Sequence, residues 1–254
     1  MSISVIIPVF NEEKIIQKNL IFFEKKISKI IGNKKWELVI VENGSLDNSY
    51  KKLYNLKKKI KILKIVRLSK PNYGKSLKKG CLTSKYKFGL ILNIDHLWDD
   101  IFFKWAWKHK NLFDVIIASK RSDPFLNNQS RYRKILSSGL NLILNFFLDS
   151  VLADTHGMKL LNLKKIKKEI INCQLSRGQF DTELMLRLSR KSYRIAEVPI
   201  PYIEKRSPKN FMLKKIFQNI FDLFSLIKIL NKIKINKTIN YRRYSRADLK
   251  KMYV

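Results

Sequence analysis

The fold is constrained most by short apolar runs that alternate with segments whose apolar residues recur at helical spacing. Each run is bounded by turn residues, as expected for a buried strand. Strands that alternate with helices in this way are typical of βαβ units and a mostly parallel sheet. We therefore predict an α/β fold in which helices flank the sheet. The predicted strands are residues 3–9, 36–41, 60–68, 88–95 and 115–119.

Capping residues predict where the helices begin. Asn11 is a candidate N-cap of the first helix, whose apolar repeat ends near Gly32. Ser45 is a candidate cap of a helix that starts near Leu46. Asp181 falls at the N-cap or in the first turn of a later helix. For each of these three polar residues, helix capping is an alternative to a role in a binding site.

Polar side chains occur at the carboxyl ends of four of the predicted strands. The carboxyl ends of parallel strands lie at one edge of a sheet, and open α/β folds bind ligands there. We therefore expect the polar groups to meet in a site at this edge. The groups are Asn11 with Glu12, Glu42 with Asn43, Asn93 with Asp95, and Lys120 with Arg121.

Asn93 and Asp95 lie two residues apart in a predicted strand, so their side chains would share one face. Their oxygen atoms suit a divalent cation such as Mg²⁺ or Mn²⁺. The alternative is that both residues only end the strand and cap a turn. Asp99 or Asp100 either adds charge to this site or caps a helix that begins near Ile101.

The turn at residues 72–75 is a candidate phosphate site. Gly74 permits a tight turn there, and the following residues predict a helix over 75–83. Free backbone N–H groups at a helix start bind phosphate, so this turn suits a diphosphate. The alternative is an ordinary turn between a strand and a helix.

The chain carries 53 Lys and Arg residues against 20 Asp and Glu residues, a formal net charge of +33. This excess favours a polyanionic partner such as nucleic acid, an anionic membrane or a phosphorylated substrate. The lysines are spread over nearly every predicted helix, so simple surface solvation is the alternative. With 254 residues, of which 45% are hydrophobic, the chain can bury a sizeable core. No RNA-binding motif is present, and we expect no nucleic acid partner.

Cysteine usage and hydropathy indicate the compartment. Cys81 and Cys173 fit no metal-binding spacing, and a chain of this size needs no disulfide, so we expect a reducing compartment. The first residues lack the basic region and apolar core of a secretory leader. No run of about 20 apolar residues predicts a membrane span. We therefore expect any membrane contact to be peripheral.

The carboxyl-terminal part differs from the rest in composition. Residues 211–235 predict a basic amphipathic helix, which either lies in a bilayer interface or packs on the sheet domain. An apolar segment at 139–153 carries a stripe of Asn and Asp at helical spacing. We predict one domain over residues 1–210, followed by the amphipathic helix and a loosely ordered polar tail over 236–254.

A series of motifs occurs in the order in which family-2 glycosyltransferases of GT-A fold carry them, over about residues 3–210. Together they resemble most closely the dolichol-phosphate mannosyltransferase branch, which moves a sugar from a nucleotide donor to a polyprenyl phosphate. The resemblance implies the GT-A fold, which is Rossmann-like, and an inverting direct displacement. The motifs are SVIIPVFNEE (4–13), ELVIVENGSLDNS (37–49), NYGKSLKKG (72–80), NID (93–95), IIASKR (116–121), RKILSSGLN (133–141), DTHGMK (154–159), FDTELMLR (180–187) and EVPIPY (197–202).

The resemblance implies a nucleotide-diphosphate sugar as donor and Mg²⁺ or Mn²⁺ as cofactor. Asp95 matches the last Asp of the family's D-x-D motif, and Asn93 replaces the first, which removes a charge from the metal site. Glu42 stands where the family usually has an Asp that accepts a bond from the base, and Asn43 replaces a second Asp. The implied metal ligands are Asp95 and Asn93, and the implied donor-binding residues are Pro8, Phe10, Asn11, Glu12, Glu42, Asn43, Gly74, Lys75 and Asn93.

The resemblance also implies a cradle for the acceptor phosphate and a set of catalytic carboxylates. Arginine suits a phosphate because its planar fork donates two bonds at once. A phosphate acceptor is already ionised at neutral pH, so the reaction needs alignment and charge neutralisation more than a strong base. The implied acceptor residues are Lys120, Arg121, Arg133, Ser137 and Lys159, and the implied catalytic residues are Asp95, Asp181 and Glu183.

Other functions are open alternatives. The same donor chemistry could serve a hydroxyl group of a glycan or a protein. Asn43 and Asn93, which replace carboxylates, are compatible with a catalytically weakened homologue, and the basic charge with a nucleic-acid-binding protein. A polyprenyl-phosphate acceptor would place the protein at the cytoplasmic face of a membrane, and we expect a peripheral attachment there.

Overall fold

The computed structural model describes residues 2–95, 98–121, 127–128, 139, 147–148, 150–203, 212–233, 235–236 and 240–251. Within these residues, eight strands form one sheet and two short strands form a second. The strands are β1 (Ile3–Val9), β2 (Trp36–Glu42), β3 (Leu63–Arg67), β4 (Phe88–Ile91), β5 (Val115–Ser119), β6 (Asn127–Asn128), β7 (Lys159–Asn162), β8 (Ile195–Pro199), β9 (Tyr202–Ile203) and β10 (Tyr241–Arg243).

The order of the large sheet is β10-β8-β5-β7-β4-β1-β2-β3. All of its neighbouring strands are parallel except at β7, which runs antiparallel to both β4 and β5. Helices connect and flank the strands, which confirms the predicted α/β fold. The helices are α1 (Ile16–Ile31), α2 (Ser49–Lys59), α3 (Tyr73–Thr83), α4 (Asp100–His109), α5 (Leu163–Asn172), α6 (Phe180–Arg190), α7 (Met212–Asn231) and α8 (Arg246–Lys251), with a 3-10 helix at Arg177–Gln179.

The core lies on both faces of the sheet because successive strand side chains point in opposite directions. On one face, Val5 and Ile7 pack in a cluster that contains Phe23 of α1. On the other face, Ile6 packs in a cluster that contains Leu77 of α3. A strand buried on both faces reads as a continuous apolar run, which is why β1 was recognisable in the sequence.

The strand β4 ends at Ile91, four residues earlier than predicted. Ile91 pairs on one side with Ile6 and on the other with Lys159, the first residue of β7. No antiparallel neighbour therefore continues beyond Ile91, and the ladder stops. The prediction that Asn93 and Asp95 share a strand face was wrong, because both residues lie in the segment after the strand.

Two predicted helix caps were also wrong. Helix α1 begins at Ile16 and helix α2 at Ser49, so neither Asn11 nor Ser45 lies at a helix start. Asn11 adopts a positive φ of 53°. Both side chains instead bond across to the other's loop, as described below. The polar residues that looked like caps thus connect the loops after β1 and β2.

The residues from 240 to 251 are ordered, contrary to the prediction of a loose tail. They form β10, which pairs with β8, and the short helix α8. Leu249 of α8 is fully buried. The ring of Tyr244 meets the ring of Trp105 edge-on at 4.7 Å between centroids. Aromatic and apolar packing therefore holds a segment whose composition is mainly polar.

Helix α7 occupies most of the predicted amphipathic segment. Leu226 and Leu230 are fully buried in the core, whereas Phe224 is 67% exposed. The described helices include none that is long and apolar enough to cross a membrane. The Asn and Asp stripe predicted for 139–153, namely Asn141, Asn145 and Asp149, lies outside the described residues.

Candidate functional site

The first three strands of the chain end level with one another. In the register of the sheet, Val9 lies beside Glu42, and Glu42 lies beside Arg67. Pro8, one residue before the end of β1, pairs with Val41 and is buried. The side chains that follow these strands therefore start from one edge, as predicted.

The loops after β1 and β2 are bonded to each other. The backbone N–H of Asn11 donates to Oγ of Ser45 at 3.1 Å, and the N–H of Leu46 donates to Oδ1 of Asn11 at 2.8 Å. The N–H of Glu12 donates to Oγ of Ser49 at 2.8 Å. Phe10 remains 39% exposed beside these bonds. This edge thus presents an aromatic surface on a braced pair of loops, which suits a nucleotide ring.

Glu42 is fully buried at the end of β2. Its Oε1 accepts a bond from the N–H of Ser45 at 2.5 Å, and its Oε2 accepts one from Nε of Arg67 at 3.1 Å. The Arg67 guanidinium also lies over the ring of Tyr50 at 4.2 Å. Because the Glu42 side chain is fully buried, a base N–H would reach it only if the surrounding loop moved. Glu42 therefore organises the loop, and its direct contact with a base stays a prediction.

Asn43 joins the loop after β2 to the loop that precedes α3. Its backbone N–H donates to the carbonyl of Val9, and its Oδ1 accepts from the N–H of Asn72 at 2.7 Å. The next residue, Gly44, has a φ of 71°. A Cβ at Gly44 would lie 3.1 Å from backbone atoms of Lys70 and Pro71, so glycine is required for this approach.

The predicted phosphate-binding turn is closed by other protein groups. Oδ1 of Asn72 accepts bonds from the N–H of Lys75 and the N–H of Arg177, both at 2.9 Å. A Cβ at Gly74 would lie 2.6 Å from the Arg177 carbonyl oxygen, so Gly74 allows the 3-10 helix to pack here. The Lys75 side chain is exposed. A diphosphate contact at this turn would therefore come from the Lys75 ammonium and not from its amide.

The segment after β4 faces the start of α3 and α6. The hydroxyl of Tyr73 donates to Oδ1 of Asn93 at 3.1 Å. Burial raises the pKa of Tyr73 well above its ordinary value, and the negative charges of Asp181 and Asp95 raise it further, although the bond to Asn93 opposes the shift. Tyr73 thus lies near Asn93, Asp95 and Asp181. The structure brings Tyr73 close to residues that lie 20 or more positions later in the sequence.

The donor set at this point fits a divalent cation only in part. Asn93 and Asp95 offer oxygen atoms, but no group of three or more His, Cys, Asp or Glu side chains comes together in the part of the chain that the structure describes. Magnesium commonly binds through one or two carboxylates together with the phosphates of a substrate. The residues present therefore fit a cation whose coordination is completed by a bound diphosphate.

Asp181 lies fully buried in the first turn of α6, where it pairs with a lysine and does not cap the helix. Nζ of Lys159 donates to Oδ1 of Asp181 and to the carbonyl of Gly157, both at 3.0 Å. Nδ1 of His156 lies 3.7 Å from Oδ2 of Asp181. Burial alone would raise the pKa of Asp181, but the positive charge of Lys159, together with the nearby His156 side chain, outweighs burial and lowers that pKa.

Lys159 is itself fully buried, which conflicts with the prediction that it contacts an acceptor phosphate. Its ammonium is engaged by Asp181 and Gly157, so it has no surface to offer. Charges are buried at such depth only when they are paired, and here the pair is internal. Lys159 therefore contributes to the site indirectly, because it neutralises the negative charge of the buried Asp181 carboxylate.

Glu183 lies apart from Asp181. Positions two apart on a helix do not face each other. The Glu183 carboxylate accepts bonds from the N–H groups of Gln174 and Leu175 and from Nε of Arg187, the last at 2.7 Å. These contacts brace the connection between α5 and α6. The position of Glu183 does not support the predicted catalytic role.

Replacing Glu183 with Gln should lower the free energy of unfolding by about 1–3 kcal/mol, since one of the two buried acceptor oxygens becomes an amide donor and Arg187 loses its counter-charge. Activity per folded molecule should stay near that of the parent chain. Urea unfolding and an assay normalised to folded protein would measure the two effects. A large loss of activity without a loss of stability would contradict this assignment and restore the catalytic one.

The predicted acceptor residues lie partly within the described structure. Lys120 and Arg121 follow β5 directly and are partly buried. Burial lowers the pKa of Arg121, and the nearby negative charges of Asp154 and Glu197 raise it. These two cations therefore stand at the same edge of the sheet as Glu42. Arg133 and Ser137 lie outside the described residues.

Sequence reasoning missed Tyr73 and His156, although both lie inside motifs that it quoted. Tyr73 looked like a turn residue, and nothing in its spacing showed that it would reach Asn93. It also missed Glu197, which is fully buried and accepts bonds from the N–H groups of Ala153 and Asp154 at 3.1 and 2.9 Å. An acid inside an apolar strand was the available signal for Glu197.

A mostly parallel sheet with carboxylate, amide and cationic side chains at one edge defines this protein as an α/β protein of the class that binds ligands at the carboxyl ends of its strands. Residues 4–170, more than half of the chain, match the family model described as Glycosyl transferase family 2. The chain belongs to this family.

Named relatives share modest sequence identity with the chain. It is 26% identical over 214 residues to a dolichyl-phosphate beta-glucosyltransferase of Trichomonas vaginalis, a match that covers 80% of this chain and 66% of the relative. It is 22% identical over 232 residues to a dolichol-phosphate mannosyltransferase of Pyrococcus furiosus, covering 90% of this chain and 64% of the relative. The chain thus spans about two thirds of the length of these curated relatives.

Solved structures share the fold at still lower identity. A mannosyltransferase from Pyrobaculum calidifontis, solved in complex with GDP-Man and Mn²⁺, superposes with a TM-score of 0.64 at 15% identity, covering 92% of this chain and 65% of that one. The mannosyl-3-phosphoglycerate synthase from Rubrobacter xylanophilus gives a TM-score of 0.63 at 10% identity, with 94% and 77% coverage. These likenesses confirm the GT-A fold.

Proposed function

We propose that the protein transfers a sugar from a nucleotide-diphosphate sugar to a polyprenyl phosphate, with inversion, in a reaction assisted by Mg²⁺ or Mn²⁺. The observation that carries the proposal is the convergence at one sheet edge of the loops after β1 and β2, the Asn93–Asp95 segment and the cations after β5. Family membership and the named relatives support the donor class. The structure with GDP-Man and Mn²⁺ illustrates a donor complex of the same fold.

The donor would rest on the braced loops after β1 and β2. The exposed ring of Phe10 offers a surface for a base, and Asn11 and Glu12 are held close by. The diphosphate would then lie toward Asp95 and the Lys75 ammonium. A divalent cation bound by Asp95 and Asn93 would neutralise charge on the leaving diphosphate.

The acceptor would lie on the side of β5. Lys120 and Arg121 supply positive charge for a phosphate, and Arg133 and Ser137 are the further candidates. Asp181 has a lowered pKa and would be a weak base. A phosphate acceptor needs no proton removed at neutral pH, so a weak base is compatible with this acceptor class. A hydroxyl acceptor would require a stronger one.

A polyprenyl-phosphate acceptor implies attachment at a membrane surface, which we propose to be the cytoplasmic face. The relatives named for dolichyl phosphate act on lipid substrates of this class. Helix α7 carries an exposed Phe224, with Lys228 and Lys232 further along the chain. An apolar side chain near cations suits an anionic bilayer interface.

The proposal is tested by incubating the purified chain with nucleotide sugars, a polyprenyl phosphate and Mg²⁺ or Mn²⁺. We expect a glycosylated lipid phosphate from at least one common donor. A Lys120→Ala/Arg121→Ala variant should lose transfer to the lipid phosphate while still binding the nucleotide. Transfer to a sugar hydroxyl but not to the lipid would contradict the acceptor assignment, and no transfer by folded protein would contradict the whole proposal.

Replacing Asn93 with Asp should strengthen binding of the divalent cation, because a carboxylate adds negative charge that the amide lacks. We expect the Mn²⁺ concentration for half-maximal nucleotide binding to fall about tenfold, which corresponds to about 1.4 kcal/mol. The bond from Tyr73 should persist, because a carboxylate also accepts from the hydroxyl. Calorimetric titration at several Mn²⁺ concentrations would measure the change. An unaltered or higher half-saturation value would show that Asn93 does not face the cation.

A further inference from the structure

Residues 240–251, which we call the C-terminal strap, return to the core after α7. The strap begins with the carbonyl of Asn240, which accepts from the N–H of Ile195, and continues as β10 beside β8. The hydroxyl of Tyr241 donates to the Glu197 carboxylate. Packing of Tyr244 on Trp105 then directs the strap toward the start of α4.

Within the strap, Arg246 forms a bidentate contact with Asp99. One guanidinium nitrogen of Arg246 lies 2.8 Å from Oδ2 of Asp99, and the other lies 3.3 Å from Oδ1. The two side chains are 19% and 5% exposed. The first nitrogen also donates to the carbonyl of Pro199 at 3.2 Å. Such a fork fixes orientation as well as distance, and burial shields it from salt.

Asp99 lies at the end of the segment that carries the candidate metal ligand Asp95, four residues earlier in the chain. Its Oδ1 caps α4 by accepting from the N–H of Phe102 at 2.9 Å. At the other end of the segment, Nδ2 of Asn19 donates to the carbonyl of Ile94 at 2.8 Å. Ile94, just before Asp95, is therefore held by α1, and Asp99, four residues after Asp95, is held by the strap.

Trp98, which precedes Asp99, is packed against the core. Its indole N–H donates to Oδ1 of Asp100 at 2.6 Å. Its ring centroid lies 6.0 Å from that of Phe23 and 5.3 Å from that of Phe103. A displacement of Asp99 would disturb this packing, so the exposure of the Trp98 indole N–H reports on the position of Asp99.

We propose that Arg246 is a positioning residue of the transfer reaction, which holds Asp99 and thereby keeps Asp95 oriented toward the donor diphosphate and its cation. This inference rests on the proposed function. It assigns a role in the site to a segment outside the residues 4–170 that match the family model. Groups that are hydrogen-bonded directly to metal ligands commonly change metal affinity or activity by about 10–100-fold when they are removed. Arg246 bonds to Asp99 and not to Asp95 itself, so we expect an effect at the lower end of this range.

The test compares Arg246→Ala with Arg242→Ala, which removes the same charge from an exposed position of the strap. Binding of guanosine or uridine diphosphate is measured at increasing Mn²⁺ concentrations. We expect Arg246→Ala to raise the Mn²⁺ concentration for half-saturation about tenfold. Arg242→Ala should leave that concentration unchanged, and Arg246→Lys, which keeps the charge, should recover part of the loss.

A second readout needs neither metal nor nucleotide. Hydrogen exchange of the Trp98 indole N–H, followed by NMR in metal-free protein, should be faster in Arg246→Ala than in Arg242→Ala. If Arg246→Ala lowers the melting temperature but leaves the Mn²⁺ dependence and the indole exchange at parent values, the residue is only structural and the proposal is overturned. If the parent binds no nucleoside diphosphate, the proposed function fails, and an unchanged indole exchange would refute the tether independently.

Discussion

Replacing Lys159 with Met should lower the free energy of unfolding by about 3–5 kcal/mol, because the variant leaves a buried carboxylate without its counter-charge. The expectation follows from the 3.0 Å contact between Lys159 and Asp181, whose side chains are both fully buried. Urea unfolding at neutral pH would measure the loss. A change below about 1 kcal/mol would be typical of an exposed pair and would contradict the buried geometry.

Two further variants separate the lost pair from lost packing. Lys165→Met removes the same group from the ion pair with Asp114, where the Lys165 side chain is 50% exposed, and should cost at most about 1 kcal/mol. Lys159→Met combined with Asp181→Leu removes both buried charges and should recover most of the stability. A double variant as unstable as Lys159→Met alone would show that packing and not charge causes the loss.

The Lys159 variant should also change how stability depends on pH. The pKa of Asp181 is lowered in the folded protein from an ordinary value of 3.8. Its stabilising contribution is therefore fully present above that value and is lost as the pH falls through the folded pKa. Without Lys159, the ionised form of Asp181 is stabilised less. The difference in the free energy of unfolding between parent and variant should therefore disappear below about pH 4. A difference that stays constant down to pH 2 would contradict the pairing.

The second large effect is on activity. Replacing Asp95 with Asn should reduce kcat/KM for sugar transfer by a factor on the order of 10²–10³, because the segment would keep two amides and no carboxylate for the cation. The protein should remain folded, since Asp95 is only partly buried. Initial rates at saturating Mn²⁺, together with the melting temperature, would measure the outcome.

Asp100→Asn is the matched control, since it neutralises a carboxylate five positions away on the same stretch of chain and leaves an amide oxygen that can still accept the bond from the Trp98 indole N–H. Asp100 pairs with Lys26 at 3.0 Å, and both side chains are more than a third exposed. This pair is typical of a surface contact and should contribute little. Comparable losses in both variants would show that the segment, and not the Asp95 carboxylate, determines the rate.

The sequence was sufficient for the fold class because the first strands of the chain are mainly apolar runs. Val5 and Ile7 face one side of the sheet and Ile6 the other, so β1 reads as an apolar run in which Ser4 is the single polar residue. The antiparallel strand β7 was not foreseen, because a short strand of four residues carries little periodic signal. The strand register, once formed, brings Glu42 and Arg67 level without any further information.

The site was predictable in outline and not in detail. Asn11 and Ser45 were placed at the correct edge, but their capping roles were wrong because each bonds to the opposite loop. Capping depends on local sequence, whereas these bonds join residues that lie 34 and 35 positions apart. The burial of Lys159 was likewise invisible, since only the fold shows that a carboxylate 22 positions later stands beside its ammonium.

The central claim is that this sheet edge holds a sugar donor through its diphosphate and a cation at Asp95. Calorimetric titration of the parent chain and Asp95→Asn with guanosine and uridine diphosphate, each with and without Mn²⁺, tests it most directly. We expect one nucleotide to bind the parent tightly only with Mn²⁺, and the Asp95→Asn variant to lose that dependence. Equal binding by both proteins, or Mn²⁺-independent binding, would contradict the account.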